Sequence, residues 1–197
     1  MPKLVHITAS AKAERVKAEL VDNAYRLFRE RGYNNVSIKD ITSSVGLTTG
    51  AFYYHFRNKA EVLRFHAMKN GKWIREELPK ILETVENYSE RIELFLSKYM
   101  CDIFEEEGWE MCEFRMFSVH YEKRESNAFR DTLTNFVEEA IQNGSLSDAY
   151  DTGEIVNSLL IVYRGVEYDW CSHHGEYSIH ERMQQQIHIL LEHYKKK

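Results

Sequence analysis

Along most of this chain, apolar residues recur every three or four positions, the period of helices that each bury one face. From residue 11 to 31 the stripe is Val16, Leu20, Ala24, Leu27 and Phe28, and Gly32 follows, free to take the left-handed conformation that ends a helix. A short second helix is predicted from Ser37, where the S-x-x-D spacing to Asp40 makes a capping pair, through Ile38, Ile41 and Val45 to Gly46. Thr48 can cap a third helix over 49–55. Asn58 with Glu61 can cap a fourth that runs toward Pro79. Longer helices are predicted over 89–106, 110–122, 127–143, 152–173 and 178–194. Asp151 with Glu154 and Ser178 with Glu181 stand at two of their starts, and Asn143-Gly144 and His174-Gly175 at two of their ends.

This is the pattern of an all-α protein. The expectation is an N-terminal three-helix helix-turn-helix domain over residues 1–57 and a helical bundle over 58–197, about nine helices altogether. With 2 Pro and 9 Gly in 197 residues, the chain lacks the turn residues that a β-rich protein of this length requires. No run of apolar residues reaches the roughly 18 to 20 needed for a membrane span, and the N-terminus is mixed in character, unlike a secretory leader. Three cysteines, odd in number and widely spaced, fit reduced thiols, so a cytoplasmic location is expected, with no membrane partner.

The net charge of −5 conceals an asymmetry. Residues 1–75 carry 14 Lys and Arg against 6 Asp and Glu, while residues 76–197 carry 12 against 25. A basic N-terminal third joined to an acidic remainder suits one unit that meets a polyanion and one that does not.

The densest chemistry lies in SIKDITSSVGLTTGAFYYHFRNK, residues 37–59. Two short helices around a Gly-containing turn make a helix-turn-helix, with Ile38, Ile41, Val45, Leu47 and Phe52 spaced to seal the angle between them. The second helix then offers Thr48, Thr49, Gly50, Tyr53, Tyr54 and His55 to a DNA groove. Gly50 contributes by lacking a side chain, which lets backbone come close to a phosphate or base edge. Phe52 and Phe56 read as core. The helix holds no Arg, Asn or Gln for bidentate base pairing, so sequence reading would rest on few direct contacts, aided by DNA shape.

This stretch resembles the DNA-binding domain of the TetR/AcrR family of bacterial regulators. The resemblance rests on the run Tyr53-Tyr54-His55-Phe56-Arg57-Asn58-Lys59 and on LFRERGYNNVSIKDITSSVGLTTGAFYYHF over 27–56, and it covers about the first 65 residues. It implies that Thr48, Thr49 and Gly50 meet base edges or phosphates, and that Tyr53 and His55 donate to phosphates. Tyr54 either does the same or packs internally. It further implies that Lys59 pairs with a phosphate at the start of the fourth helix, and that Ser37 and Lys39 touch the flanking backbone.

A single recognition helix makes few contacts, so helix-turn-helix proteins commonly bind two half-sites as dimers. The last two helices carry apolar stripes suited to a seam: Ile155, Leu159, Val162 and Val166 on one, Met183, Ile187, Leu190, Leu191 and Tyr194 on the other. The alternative is that these faces close the monomer's own core. The family resemblance implies a four-helix bundle between twins. Aromatic and Met residues are dense in the helical body, and Phe104, Trp109, Phe117, His120, Tyr121, Tyr163 and Trp170 are candidate pocket residues, with Glu113 a candidate buried acid. The same residues also suit a plain core.

The expected function is a ligand-responsive repressor that binds a palindromic DNA operator as a homodimer and is released by a small, partly apolar effector. The alternative is the same fold answering to a protein partner, or acting as a ligand-independent DNA-bound factor. Catalysis is not expected: Cys171-x-His173-His174 lacks a matching second pair for zinc, and no Gly-rich phosphate loop, GxSxG or HExxH occurs. No cofactor is expected.

Overall fold

A computed structural model of the chain describes residues 9–118 and 128–196. These residues are helical, without a named strand among them, and they divide into two compact units, Met1–Met68 and Lys69–Lys197. Among the described residues no helix is long and apolar enough to cross a membrane.

The first unit holds α1 (Ala9–Arg31), α2 (Ile38–Ser44), α3 (Thr49–His55) and the start of α4 (Lys59–Glu76). Its helix ends follow the local chemistry of the sequence. Ser37 Oγ accepts from the Asp40 amide at 3.1 Å, and Asp40 Oδ2 accepts from the Ser37 amide at 2.8 Å, a complete capping box. Gly46 has φ +67°, open to glycine without strain, and lets the Leu47 amide reach back to the Thr42 carbonyl at 2.8 Å. Thr48 Oγ1 then accepts from the Ala51 amide at 3.3 Å and starts α3. Leu20, Leu27, Phe28, Ile41, Phe52 and Phe56 are fully buried. The unit extends into α4 because Val62 and Leu63 are buried and the Phe65 ring lies 6.2 Å from that of Phe56.

The second unit contains the rest of α4, then α5 (Leu78–Leu82), α6 (Tyr88–Leu94), α7 (Met100–Glu107), α8 (Trp109–Ser118), α9 (Ala128–Asn143), α10 (Thr152–Ser172) and α11 (Ile179–Tyr194). Two elements differ from the expected set. Pro79, toward which the fourth helix was expected to run, lies just past the end of α4 in the first turn of a separate short helix, α5, where its missing N–H leaves no helical bond unmade. The helix expected over 89–106 is divided by a π-helical turn, Phe95–Tyr99. The remainder of the predicted 110–122 helix, beyond Ser118, lies outside the described residues. α10 packs on α11, α9 and α8, and α11 also packs on α6, the π turn and α7, around a core that includes Leu96, Leu133, Val156 and Leu160.

This packing corrects the expected dimer seam. Ile155, Leu159, Val166, Met183, Ile187, Leu191 and Tyr194 are buried by the chain's own core, with Val162 and Leu190 partly buried against it. The stripe with helical spacing is the face that α10 and α11 turn toward each other and toward the helices packed on them, α9 and α8 for α10 and α6, the π turn and α7 for α11. The opposite face of α10 exposes Ile161 at 70% and Tyr168 at 54%, and α11 exposes Ile189 at 58%.

Candidate nucleic-acid interface

The recognition helix is short and gets its rigidity from beneath. Phe52 and Phe56 are buried, their ring centroids 5.4 Å apart, and Phe52 also meets the edge of Tyr53 at 5.8 Å. With those two positions anchored, the helical period turns the rest outward: Thr48, Thr49, Gly50, Tyr53 and Tyr54 are all exposed. Tyr54 is 79% exposed, so it does not pack internally. A Cβ placed on Gly50 would have Thr48 Oγ1 as its neighbour at 3.7 Å, so the chain itself leaves this spot open. Ser37 and Lys39 are exposed at the start of α2.

His55 and Lys59 are half-buried. Burial, and then the nearby Lys17 ammonium, hold the His55 imidazole below its ordinary pKa, opposed by Glu14. Lys17 sits over the Phe65 ring at 4.1 Å. Its position on the long first helix gave no sign that it reaches the end of α3.

Lys59 Nζ donates to two backbone carbonyls, those of Tyr33 at 2.8 Å and Val36 at 2.7 Å, and lies 4.4 Å above the Tyr33 ring. Burial lowers its pKa. A shallow groove of about 520 Å³ runs past it, lined by residues 33–38 and 58–60. Asn34 and Asn35 join the groove without having been singled out in the sequence, beside Asn58, which was read there only as a helix cap.

The candidate pocket residues fall into two groups. Phe104 and Tyr163 belong to a run of rings through the core of the second unit: Phe104 to Tyr163 at 5.4 Å, Tyr163 to Phe129 at 4.8 Å, Phe129 to Phe95 at 5.4 Å and Phe95 to Phe136 at 5.5 Å. Trp109 and Trp170 instead flank the α10–α11 turn. There Trp170 Nε1 donates to the Tyr177 carbonyl at 3.0 Å, and Trp109 lies 4.5 Å from His174. The Phe117 side chain, His120 and Tyr121 lie outside the described residues. Glu113 is exposed, so the buried acid expected there is corrected to Glu107, the last residue of α7, and Glu167 in α10.

The Cys171, His173 and His174 side chains diverge. Cys171 is buried, His173 Nδ1 lies 2.8 Å from the Asp169 carbonyl, and His174 packs on Trp109. Among the described residues no group of His, Cys, Asp and Glu is arranged to hold a metal.

With this geometry in view, the sequence pattern of the bacterial regulatory proteins of the tetR family matches residues 20–64, from α1 to the first turns of α4. The biofilm operon icaADBC negative transcriptional regulator IcaR of Staphylococcus epidermidis is 41% identical over 49 residues, 25% of this chain and 26% of IcaR. The match therefore spans about a quarter of that relative.

Solved structures extend the likeness in fold. A TetR-family regulator from Pectobacterium atrosepticum superposes with a TM-score of 0.69 at 21% identity, over 93% of this chain and 94% of its own. FadR of Thermus thermophilus, a TetR-family repressor solved with lauroyl-CoA, superposes at 0.66 with 17% identity, over 92% and 96%. The chain thus carries a tetR-type sequence pattern over residues 20–64, and over nearly its whole length it has the fold of solved TetR-family regulators.

Proposed function

We propose that this protein is a transcriptional repressor that binds a palindromic operator as a homodimer and leaves it when a small, partly apolar effector binds the second unit. The observation that carries the reading is α3 with its cap: Thr48, Thr49, Gly50, Tyr53 and Tyr54 are all exposed on one short helix and its N-cap, fixed from below by buried Phe52 and Phe56. In this reading Thr48, Thr49 and Tyr53 meet base edges, while Ser37, Lys39, Tyr54 and His55 meet phosphates. The dimer forms through the outer face of α10 and α11, where Ile161, Tyr168 and Ile189 are exposed. Gly165 lies between the first two with nothing within 4 Å of its would-be Cβ, so a second helix can approach closely. Twin recognition helices must then stand about 34–36 Å apart to enter successive major grooves.

The effector site is the aromatic run of Phe104, Tyr163 and Phe129, next to the buried carboxylates Glu107 and Glu167 in the same helices. A related fold has been solved with an acyl-CoA, which supports an apolar portion in the effector. The test is selection of duplexes from a random-sequence library by the purified full chain, followed by mapping of bound DNA in cells. A palindrome recovered by both methods supports the proposal. Recovery of no preferred sequence refutes it.

A further inference from the structure

Lys59 is the first residue of α4, yet its ammonium is directed toward the chain's own backbone. Two of its three protons go to the carbonyls of Tyr33 and Val36, which bracket Asn34-Asn35 at the two ends of one loop. The Tyr33 ring covers the cation at 4.4 Å, and Phe28 stands 6.0 Å away. Both ends of this strap are anchored. At one end, Val36 is buried and precedes Ser37, whose capping box starts α2. At the other, Asn58 Oδ1 accepts from the Glu61 amide at 3.0 Å and Glu61 Oε2 accepts from the Arg57 amide at 2.6 Å, immediately after the buried Phe56 that ends α3. The loop that feeds α2 and the junction that follows α3 are thus held by one side chain. Burial of that side chain lowers its pKa, so the carbonyls are what keep the cation favourable there.

We propose that Lys59 serves DNA binding as a positioning residue, strapping the 33–36 loop to the first residue of α4 and so setting where α2 and α3 stand, instead of neutralising a phosphate. The proposal rests on the DNA-binding reading above and concerns how that site is built. It separates two roles that a motif alone would merge. A phosphate contact acts through charge and is read in the salt dependence of binding. A strap acts through geometry and is read in the protection of the loop.

The test uses the full chain as wild type, Lys59→Gln and Lys59→Arg, with a duplex of about 30 base pairs, long enough for two half-sites, enriched by the wild type from a random library. Each neutralised phosphate contributes about 0.9 to the slope of log affinity against log salt, so a symmetric pair of phosphate contacts contributes about 1.8. The expected result for Lys59→Gln is affinity lower by about tenfold or more, a slope within about 0.5 of wild type, and faster amide exchange over residues 33–38 in the free protein. A slope reduced by about 1.8, or unchanged exchange over 33–38, overturns the proposal.

The Arg variant keeps the charge, and it carries the test alone if the Gln variant does not fold. Affinity that follows loop protection, both kept or both lost, supports the strap; full affinity with an unprotected loop overturns it. If the wild type enriches no duplex, it is the DNA-binding reading that has failed, a result distinct from a lost slope on an enriched duplex.

Discussion

Replacing Ile161 with Ser tests the proposed dimer and the face of α10 assigned to it. The side chain is 70% exposed in the single chain, so the monomer gives up little when it is removed; surface changes of this kind stay within about 0.5 kcal/mol. Fully burying an Ile side chain contributes about 1.5–3 kcal/mol. The exposed 70% then amounts to about 1–2 kcal/mol per protomer, and twofold symmetry doubles it to about 2–4 kcal/mol. Dimer dissociation should therefore rise by about 30- to 1,000-fold. Leu159, two residues earlier and fully buried in the core, is the control: Leu159→Ala should lower folding stability by about 2–5 kcal/mol. Sedimentation equilibrium over a dilution series gives the first quantity, and urea unfolding at one fixed protomer concentration gives the second, because a dimer's apparent stability depends on concentration. The reasoning is refuted if Ile161→Ser leaves the dimer constant unchanged, or if Leu159→Ala yields a stable, folded monomer.

Tyr54→Phe should weaken binding to the selected duplex by about tenfold, the scale of one hydrogen bond to a charged oxygen, without altering the melting temperature; a gel-shift titration showing wild-type affinity would contradict the phosphate role. Gly46→Ala should cost about 1–2 kcal/mol, because φ +67° is unfavourable for a residue with a Cβ while the surrounding space is open, so strain acts without a clash. A neutral result in urea unfolding would remove the turn argument. For His55 the folded state holds the imidazole below its ordinary pKa, so the unfolded chain binds the extra proton first as pH falls. Stability is therefore retained above the ordinary imidazole value and declines as pH falls from there through the depressed folded value. Lys17→Gln, which removes a cation facing His55, should shallow that decline, and a decline of unchanged steepness would show that the lysine has no part in it.

The first unit was legible in the sequence because its information is local. Ser37 with Asp40, Gly46, Thr48 and Asn58 with Glu61 each act within four residues, and the structure forms each of these starts and turns where the chain signals them. The burial of Phe52 and Phe56 followed from helical spacing alone. The second unit was legible as helices but not as faces. Period 3.6 says that Leu159 is buried; it cannot say whether α11 of the same chain or a twin does the burying. The carbonyl partners of Lys59 were illegible for a related reason: they lie 26 and 23 residues back in sequence, a distance over which no periodicity carries information. The short helix α5 was missed because a proline marks the end of one helix and the first turn of the next alike, and Leu78 and Leu82, which it buries, are too few to show a period.

If the proposed effector site is the aromatic run of the second unit, that run limits what kind of effector could work. Phe104, Tyr163, Phe129 and Phe95 already satisfy one another, and an incoming molecule must replace those contacts with its own. A ligand that inserts without discriminating between the DNA-bound and released conformations would bind and change nothing, however tightly it held. Release requires a difference in affinity between the two, about 5.5 kcal/mol to move an equilibrium from one extreme to the other. At about 25 cal/mol for each Å² of apolar surface, that difference corresponds to roughly 200 Å² buried in one conformation and not in the other, about the surface of one large aromatic side chain. Displacement of a single ring of the run, with an apolar ligand taking its place in only one conformation, is thus the smallest event with enough free energy to act as the switch.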